Sequence, residues 1–320
     1  MLSAVRSAVI FGHGGQDGSL LWEHLAAQGY RLHGVGRTGR RDSVPTATDE
    51  VPAIRDRAAL KRYLADVGPH EVYYLAAYHR SSEARDSGSV LDEWEPTFAV
   101  NAQGFLNVLD ALREVSPQTR VFYAASSHVF QGDDARLLDE DTPIFPAGFY
   151  GIAKAAGLQL AREYRARHKL HVSTGILFNH ESHLRSRNFL SRKVIDGARE
   201  IRDGRCTQIE LGNLDAVVDW SYAGDFVAGF QATLLRASPD EYVFASGTGH
   251  TVRDFVQIAF GCFGLDWEKH VVVNPSRLTA WVPRRVGNPA RIFQRTGWKT
   301  THGLESMIQT IVRNLDHSGS

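Results

Sequence analysis

Short apolar runs alternate with helical patterns through the first half of the chain. Ser7–Phe11 (SAVIF), Arg31–Val35 (RLHGV), Glu71–Ala76 (EVYYLA), Arg120–Ala125 (RVFYAA) and His171–Leu177 (HVSTGIL) read as strands. They are near-continuous apolar stretches, as a sheet covered on both faces requires. Between them, Leu20–Gln28 sets Leu20, Leu21, Leu25 and Ala26 on one helical face, and Ala102–Arg113 repeats at helical spacing. A proline-containing loop over Pro143–Phe149 hands on to a helix over Tyr150–His168. This repetition predicts parallel βαβ units and an α/β fold: a Rossmann-like doubly wound parallel sheet. Beyond residue 178 the rhythm changes. Asn179–Arg192 is polar and arginine-rich, Lys193–Glu200 is helical, Glu210–Leu214 is a short strand and turn, and Asp240–Ala245 is one more sheet strand. The pattern predicts a cofactor domain over 1–177, with 215–248 returning to it. Segments 178–214 and 249–320 are expected to form a smaller mixed α/β C-terminal substrate cap.

Composition narrows the partners. The 320 residues carry 36 Lys+Arg against 36 Asp+Glu, so a nucleic-acid or membrane-surface partner is not expected. Any bound anion is held by local clusters instead, such as Arg37, Arg40 and Arg41, or Arg185, Arg187, Arg192 and Lys193. The two cysteines, Cys206 and Cys262, show no ligand spacing, and the 14 histidines form no HExxH, so neither a disulfide framework nor a metal site is expected. No apolar run is long enough to span a bilayer, and a glycine-rich turn arrives where a signal-peptide cleavage site would stand. With so little cysteine, the expected location is the cytoplasm.

Candidate chemistry begins directly after the first strand, with Gly12-His13-Gly14-Gly15-Gln16-Asp17-Gly18. Glycines at positions 12, 15 and 18 let the backbone approach a pyrophosphate and pass it to a helix N-terminus. At the end of the second strand, where a carboxylate would select NAD, the sequence has Gly36-Arg37-Thr38-Gly39-Arg40-Arg41. Guanidinium groups there suit a 2′-phosphate, so NADP is expected ahead of NAD. Tyr150 and Lys154 stand four apart on a helix, where the ammonium can favour the phenolate and make it a general base.

The segments GQDGSLLWEHLAAQGYRLHG (15–34), FYGIAK (149–154), ILFNHES (176–182), NFLSRKV (188–194), LGNLDAVVDW (211–220) and SGTGHTVRDFV (246–256) carry a resemblance that runs nearly end to end. The chain resembles extended short-chain dehydrogenases/reductases and, among them, GDP-mannose 4,6-dehydratases. The resemblance implies an NADP-dependent enzyme acting on a nucleotide sugar, assembled as a homodimer or homotetramer. It assigns Ser127 to the sugar C4 hydroxyl, Tyr150 to the base that deprotonates it and Lys154 to its partner. Cofactor contacts fall on Gly12, Gly15, Gln16, Asp17, Gly18, Arg37, Arg40, Leu75, Ala76, Ala77, Tyr150, Lys154, His180 and Arg185. Substrate contacts fall on Ser127, Asn179, Asn188, Lys193 and Arg277, with Arg284 or Arg285 as alternatives to the last.

One departure bears on the reaction. A 4,6-dehydratase needs a base at C5, in the family a glutamate two residues after the Ser/Thr. In Ser126-Ser127-His128-Val129-Phe130 that position is Val129, which exchanges no proton. One reading is C4 hydride chemistry alone, as a 4-ketoreductase, 4-epimerase or 4-dehydrogenase. The alternative is a dehydratase in which His128, or another relocated base, replaces the glutamate. Neighbouring side chains of a strand point to opposite faces, but a strand-end turn relaxes that rule. A further alternative is a non-catalytic cofactor- or sugar-nucleotide-binding protein.

Overall fold

The computed structural model describes residues 5–36, 39–42, 53–79, 89–133, 135–277 and 284–317. Strands β1 (Ser7–Phe11), β2 (Arg31–Gly36), β3 (Gly39–Asp42), β4 (Glu71–Tyr74), β5 (Arg120–Ser126) and β6 (His171–Leu177) belong to the main sheet. Short strands β7 (Asn179–Glu181), β8 (Ile209–Leu211), β9 (Val217–Val218) and β10 (Trp220–Tyr222) follow, then β11 (Glu241–Phe244), β12 (His250–Thr251) and β13 (Val271–Val273). The main sheet has seven strands in the order β11-β6-β5-β4-β1-β2-β3. All its pairs are parallel except β2 with β3, an antiparallel hairpin that sets Arg40 opposite Val35. Gly39–Asp42 thus continues the sheet at its edge. The short strands pair β7 with β10, β8 with β13 and β9 with β12.

The helices are α1 (Gln16–Ala26), α2 (Arg57–Val67), α3 (Val90–Phe98), α4 (Gly104–Val115), α5 (Gly148–His168), α6 (Leu190–Arg202), α7 (Ala223–Leu234), α8 (Val252–Gly261), α9 (Ala290–Thr296) and α10 (Leu304–His317). Alternation along β1 shows how both faces are filled. Val9 and Phe11 enter the core beneath α2, α4 and α5, whereas Ala8 and Ile10 enter the core beneath α1 and α7. A third apolar cluster joins α6, α8 and α10 around Trp220 and Phe255. Helix α1 starts at Gln16 rather than at Leu20, because the glycine turn itself leads into the first helical turn. Likewise α6 begins at Leu190, three residues before the helix expected from Lys193.

Two polar devices tie the layers together. Between α3 and α4 the backbone widens into a π turn over Ala99–Gln103. Its Val100 and Asn101 carbonyls accept the buried hydroxyls of Tyr74 (2.6 Å) and Tyr123 (2.8 Å). The buried carboxylate of Asp219 accepts from the Ser246 amide (2.9 Å), the Ser246 hydroxyl (2.6 Å) and the amides of Gly247 (3.2 Å) and Gly287 (3.1 Å). It thus joins the exit of β11 to two distant segments.

Candidate active site

The glycine turn is shaped for close backbone approach. Gly12 has φ +91°, and a Cβ there would meet the Ala76 backbone nitrogen at 2.7 Å. A Cβ on Gly18 would lie 2.2 Å from the Gly12 carbonyl oxygen, so α1 packs directly onto the turn. Gly15 caps α1 without a side-chain hydrogen bond, leaving first-turn amides free for an anion. Leu75, Ala76 and Ala77 follow β4 beside this turn, with Ala76 against Gly12. The cradle fits a dinucleotide pyrophosphate. Arg37 lies outside the described residues, and Arg40 is described only through its backbone in β3.

Three residues expected at the cofactor are joined to one another. The Gln16 amide donates to the His180 carbonyl (3.0 Å) and accepts from the Ser182 hydroxyl (2.9 Å). His180 directs Nε2 at Asp17 Oδ2 (2.9 Å) and Nδ1 at the Phe178 carbonyl (2.7 Å). Both ring nitrogens face acceptors, which is the pattern of an imidazolium. Burial opposes that charge, but the Asp17 carboxylate outweighs it and raises the His180 pKa. Asp17 in turn is lowered, against its own burial.

Helix α5 presents the Tyr–Lys pair. Lys154 is buried, donates Nζ to the Ala124 carbonyl (2.7 Å) and lies 5.7 Å from the centre of the Tyr150 ring. Burial pulls its pKa down to about 7. Burial pushes the Tyr150 phenol up to about 12, and a hydrogen bond from Ser126 and the Arg185 charge oppose the rise. Gly151 lets α5 seat here: a Cβ would meet the His128 carbonyl at 2.5 Å.

The end of β5 distributes its side chains unlike the assignment by resemblance. Ser126, rather than Ser127, engages the Tyr150 phenol, and its Oγ also accepts from the His128 amide (3.3 Å). Ser127 is buried in the tight turn Ser127–Val129. Val129 is 0% exposed and belongs to the core with Phe130, Leu138 and Phe178. His128 instead faces the cleft, its ring 5.6 Å from that of Tyr150. Burial, the Arg285 charge and His79 hold the His128 pKa down to about 3, so the imidazole is neutral at physiological pH.

His79, just past β4, completes the wall. Its ring meets Tyr150 edge-on at 4.3 Å and His128 at 5.8 Å, and stacks on Phe189 at 5.8 Å. Arg185 covers Phe189 at 3.8 Å and pairs with Glu181 (3.2 Å). Packing against these rings and the Arg185 and Lys154 charges lower the His79 pKa to about 4. Among the expected substrate contacts, Asn179 and Asn188 are exposed, Lys193 lies in the first turn of α6, and the Arg277 side chain is outside the described residues. Among the described residues, no group of three or more His, Cys, Asp or Glu is placed to hold a metal ion. No described helix is long and apolar enough to cross a membrane.

Ser126, His79, Phe189 and Arg285 are the site residues that sequence reasoning passed over or placed elsewhere. For Ser126 the signal was present in the serine pair, but only the turn decides which hydroxyl meets Tyr150. His79 carried a weaker signal, a polar ring at the carboxyl end of a parallel strand, where ligands bind in such sheets.

Known proteins resemble the chain in sequence and in fold. A family profile described as GDP-mannose 4,6 dehydratase matches residues 9–311. GDP-mannose 4,6 dehydratase 2 of Arabidopsis thaliana is 34% identical over 324 residues, covering 95% of this chain and 85% of that protein. GDP-mannose 4,6-dehydratase of Vibrio cholerae is 29% identical over 352 residues, covering 96% and 93%. In fold, the chain superposes on RMD from Pseudomonas aeruginosa complexed with NADPH (TM-score 0.81, 19% identity, 98% and 100% covered). It also superposes on UDP-glucose 4-epimerase from Thermus thermophilus complexed with NAD (TM-score 0.80, 22% identity, 97% and 99% covered). With its glycine cradle, its Tyr150–Lys154 pair and a match along nearly its whole length, the chain belongs to the GDP-mannose 4,6-dehydratase family, NAD(P)-dependent short-chain dehydrogenase/reductase enzymes that act on nucleotide sugars.

Proposed function

We infer that the protein is an NADP-dependent nucleotide-sugar 4,6-dehydratase, acting on a GDP-hexose, in which His128 stands in for the glutamate base. The observation that carries this is the cleft-facing imidazole of His128 beside Tyr150, with ring nitrogens that make no hydrogen bond among the described residues and are not sealed from the cleft. Val129 packs in the core and leaves the turn's acid/base function to its neighbour. Arg40, set opposite Val35 by the β2–β3 hairpin, supports NADP over NAD.

When bound, the nicotinamide supplies the hydride acceptor for C4 and returns that hydride to C6. Tyr150, with Ser126 on its phenol, takes the C4 hydroxyl proton, and Lys154 supplies the positive charge that favours phenolate. His128 then removes the C5 proton, acidified by the C4 ketone. A neutral imidazole can take that proton and deliver it to the departing C6 oxygen, the two-way task a carboxylate performs in the family.

A second reading, C4 redox or epimerisation without water loss, is favoured by the weak basicity of an imidazole held to about 3. Incubation with GDP-mannose and catalytic NADP in deuterated water, read by mass spectrometry and NMR, separates the two. The dehydratase releases water and leaves deuterium at C5. A sugar oxidised or inverted at C4 with hydrogen retained at C5 would overturn this reading.

A further inference from the structure

Arg285 is the remaining charged group at this site. It bridges to Val218 and donates Nε–H to the Phe130 carbonyl at 3.0 Å, which anchors it two residues from His128. Its guanidinium is half-buried, and no carboxylate lies within ion-pair distance among the described residues. Neighbouring Arg284 differs, donating to the Asp133 carbonyl at 3.0 Å on the outer loop. Among the described residues the terminal amino groups of Arg285 have no partner, and they are not sealed from the cleft. A cation held in this way, without a counter-ion, costs stability and persists where a ligand brings negative charge to it. Burial lowers even its own pKa, to about 10.

The surrounding groups define what that charge is. His79 and His128 are neutral, Tyr150 serves C4, and the described carboxylates Asp17 and Glu181 are paired with His180 and Arg185. Resting on the dehydratase reading, we propose that Arg285 is a catalytic residue for the elimination itself: its free guanidinium N–H groups hydrogen-bond the C6 oxygen and stabilise the negative charge that develops as the C6–O bond breaks. His128 takes the C5 proton, and the C5–H electron pair passes through the C4 enolate into the new C5=C6 bond. The C6–O pair leaves with the oxygen, and the imidazolium returns its proton to that oxygen, so water departs. No external oxidant or acid is needed. The same guanidinium drives the proton forward, because an imidazolium beside a fixed cation is a strong acid.

The test uses full-length protein with GDP-mannose and NADP in deuterated water. It follows C4 oxidation by reduced-nicotinamide absorbance, C5 exchange by NMR and water loss by mass spectrometry. Arg285→Gln is expected to keep C4 oxidation and C5 exchange while slowing water loss about 100-fold, the scale of losing one preorganised donor. Exchange then outruns elimination, so deuterium accumulates at C5 of sugar that still holds its C6 oxygen. Arg285→Lys is expected to recover part of the rate. His128→Gln, by contrast, loses exchange and water loss together. Equal loss of GDP-mannose and GDP affinity in both Arg285 variants would place the residue at the diphosphate and overturn the proposal. So would equal slowing of exchange and water loss. A wild-type protein that exchanges nothing at C5 sinks the dehydratase reading itself, before any variant is compared.

Discussion

His180 and Asp17 meet at 2.9 Å, a buried ion pair that fastens β7 to the first turn of α1, the helix entered from the glycine turn. The glycine turn is therefore held from β7 as well as from the sheet. The His180 pKa is raised, so its share of the stability is complete below the unfolded value of about 6.5 and disappears as pH rises through the folded value. The Asp17 pKa is lowered, so its share is present above about 3.9 and disappears as pH falls through the folded value. Asp17→Asn should thus lower the Tm most between about pH 4 and 6.5, with a smaller gap at alkaline pH. A pH series of thermal melts measures this, and a gap that widens above pH 8 would contradict it.

Lys154 runs the other way. Its folded pKa, about 7, lies below the unfolded value, so folding carries a penalty that is full below about pH 7 and gone above about pH 10.4. Lys154→Met should abolish turnover and yet raise the Tm, most strongly at or below neutral pH. Calorimetry at pH 6 and at pH 10 shows whether the gain shrinks with pH as required.

Ser126 and Ser127 separate by position. Removing the hydroxyl that contacts Tyr150, in Ser126→Ala, should lower kcat about 100-fold, within the range of general acid–base assistance. Ser127→Ala should fall far less, because its side chain lies in the turn rather than at the phenol. Steady-state kinetics on both variants decides, and the reverse ranking would restore the assignment by resemblance.

Glutamate placed at the two neighbouring positions gives a sharper contrast. Val129→Glu buries a carboxylate in a fully enclosed core position and should cost roughly 3–5 kcal/mol without raising the elimination rate. His128→Glu puts the carboxylate in the cleft beside Arg285 and should preserve the fold and dehydration. Denaturant melts and product analysis report the two halves of this expectation.

The parallel sheet was legible from its strands because buried apolar runs such as SAVIF and RVFYAA have few other uses in a chain with this alternation. The cofactor turn and the Tyr–Lys pair were legible because their spacing is set by local geometry. Side-chain direction at the end of β5 was not. There the chain leaves the period of two and enters a single tight turn, so a one-residue difference decides whether His128 or Val129 reaches the ligand. Nor could the sequence foretell that, among the described residues, Arg285 has no acid partner, since Asp141 pairs with Arg291 instead. Short segments such as β7 and β9 depend on pairing with distant partners rather than on their own pattern.

Strand β11 pairs with β6, although four short strands and two helices intervene in the chain. During synthesis, β6 must therefore wait as an unpaired edge, rich in unsatisfied amides and carbonyls, until residues 241–244 leave the ribosome. The Asp219 carboxylate waits with it for its amide donors at positions 246, 247 and 287. Nascent chains stalled before Glu241 should consequently be chaperone clients and prone to aggregation, whereas release after the last helix allows the sheet to close in one cooperative step.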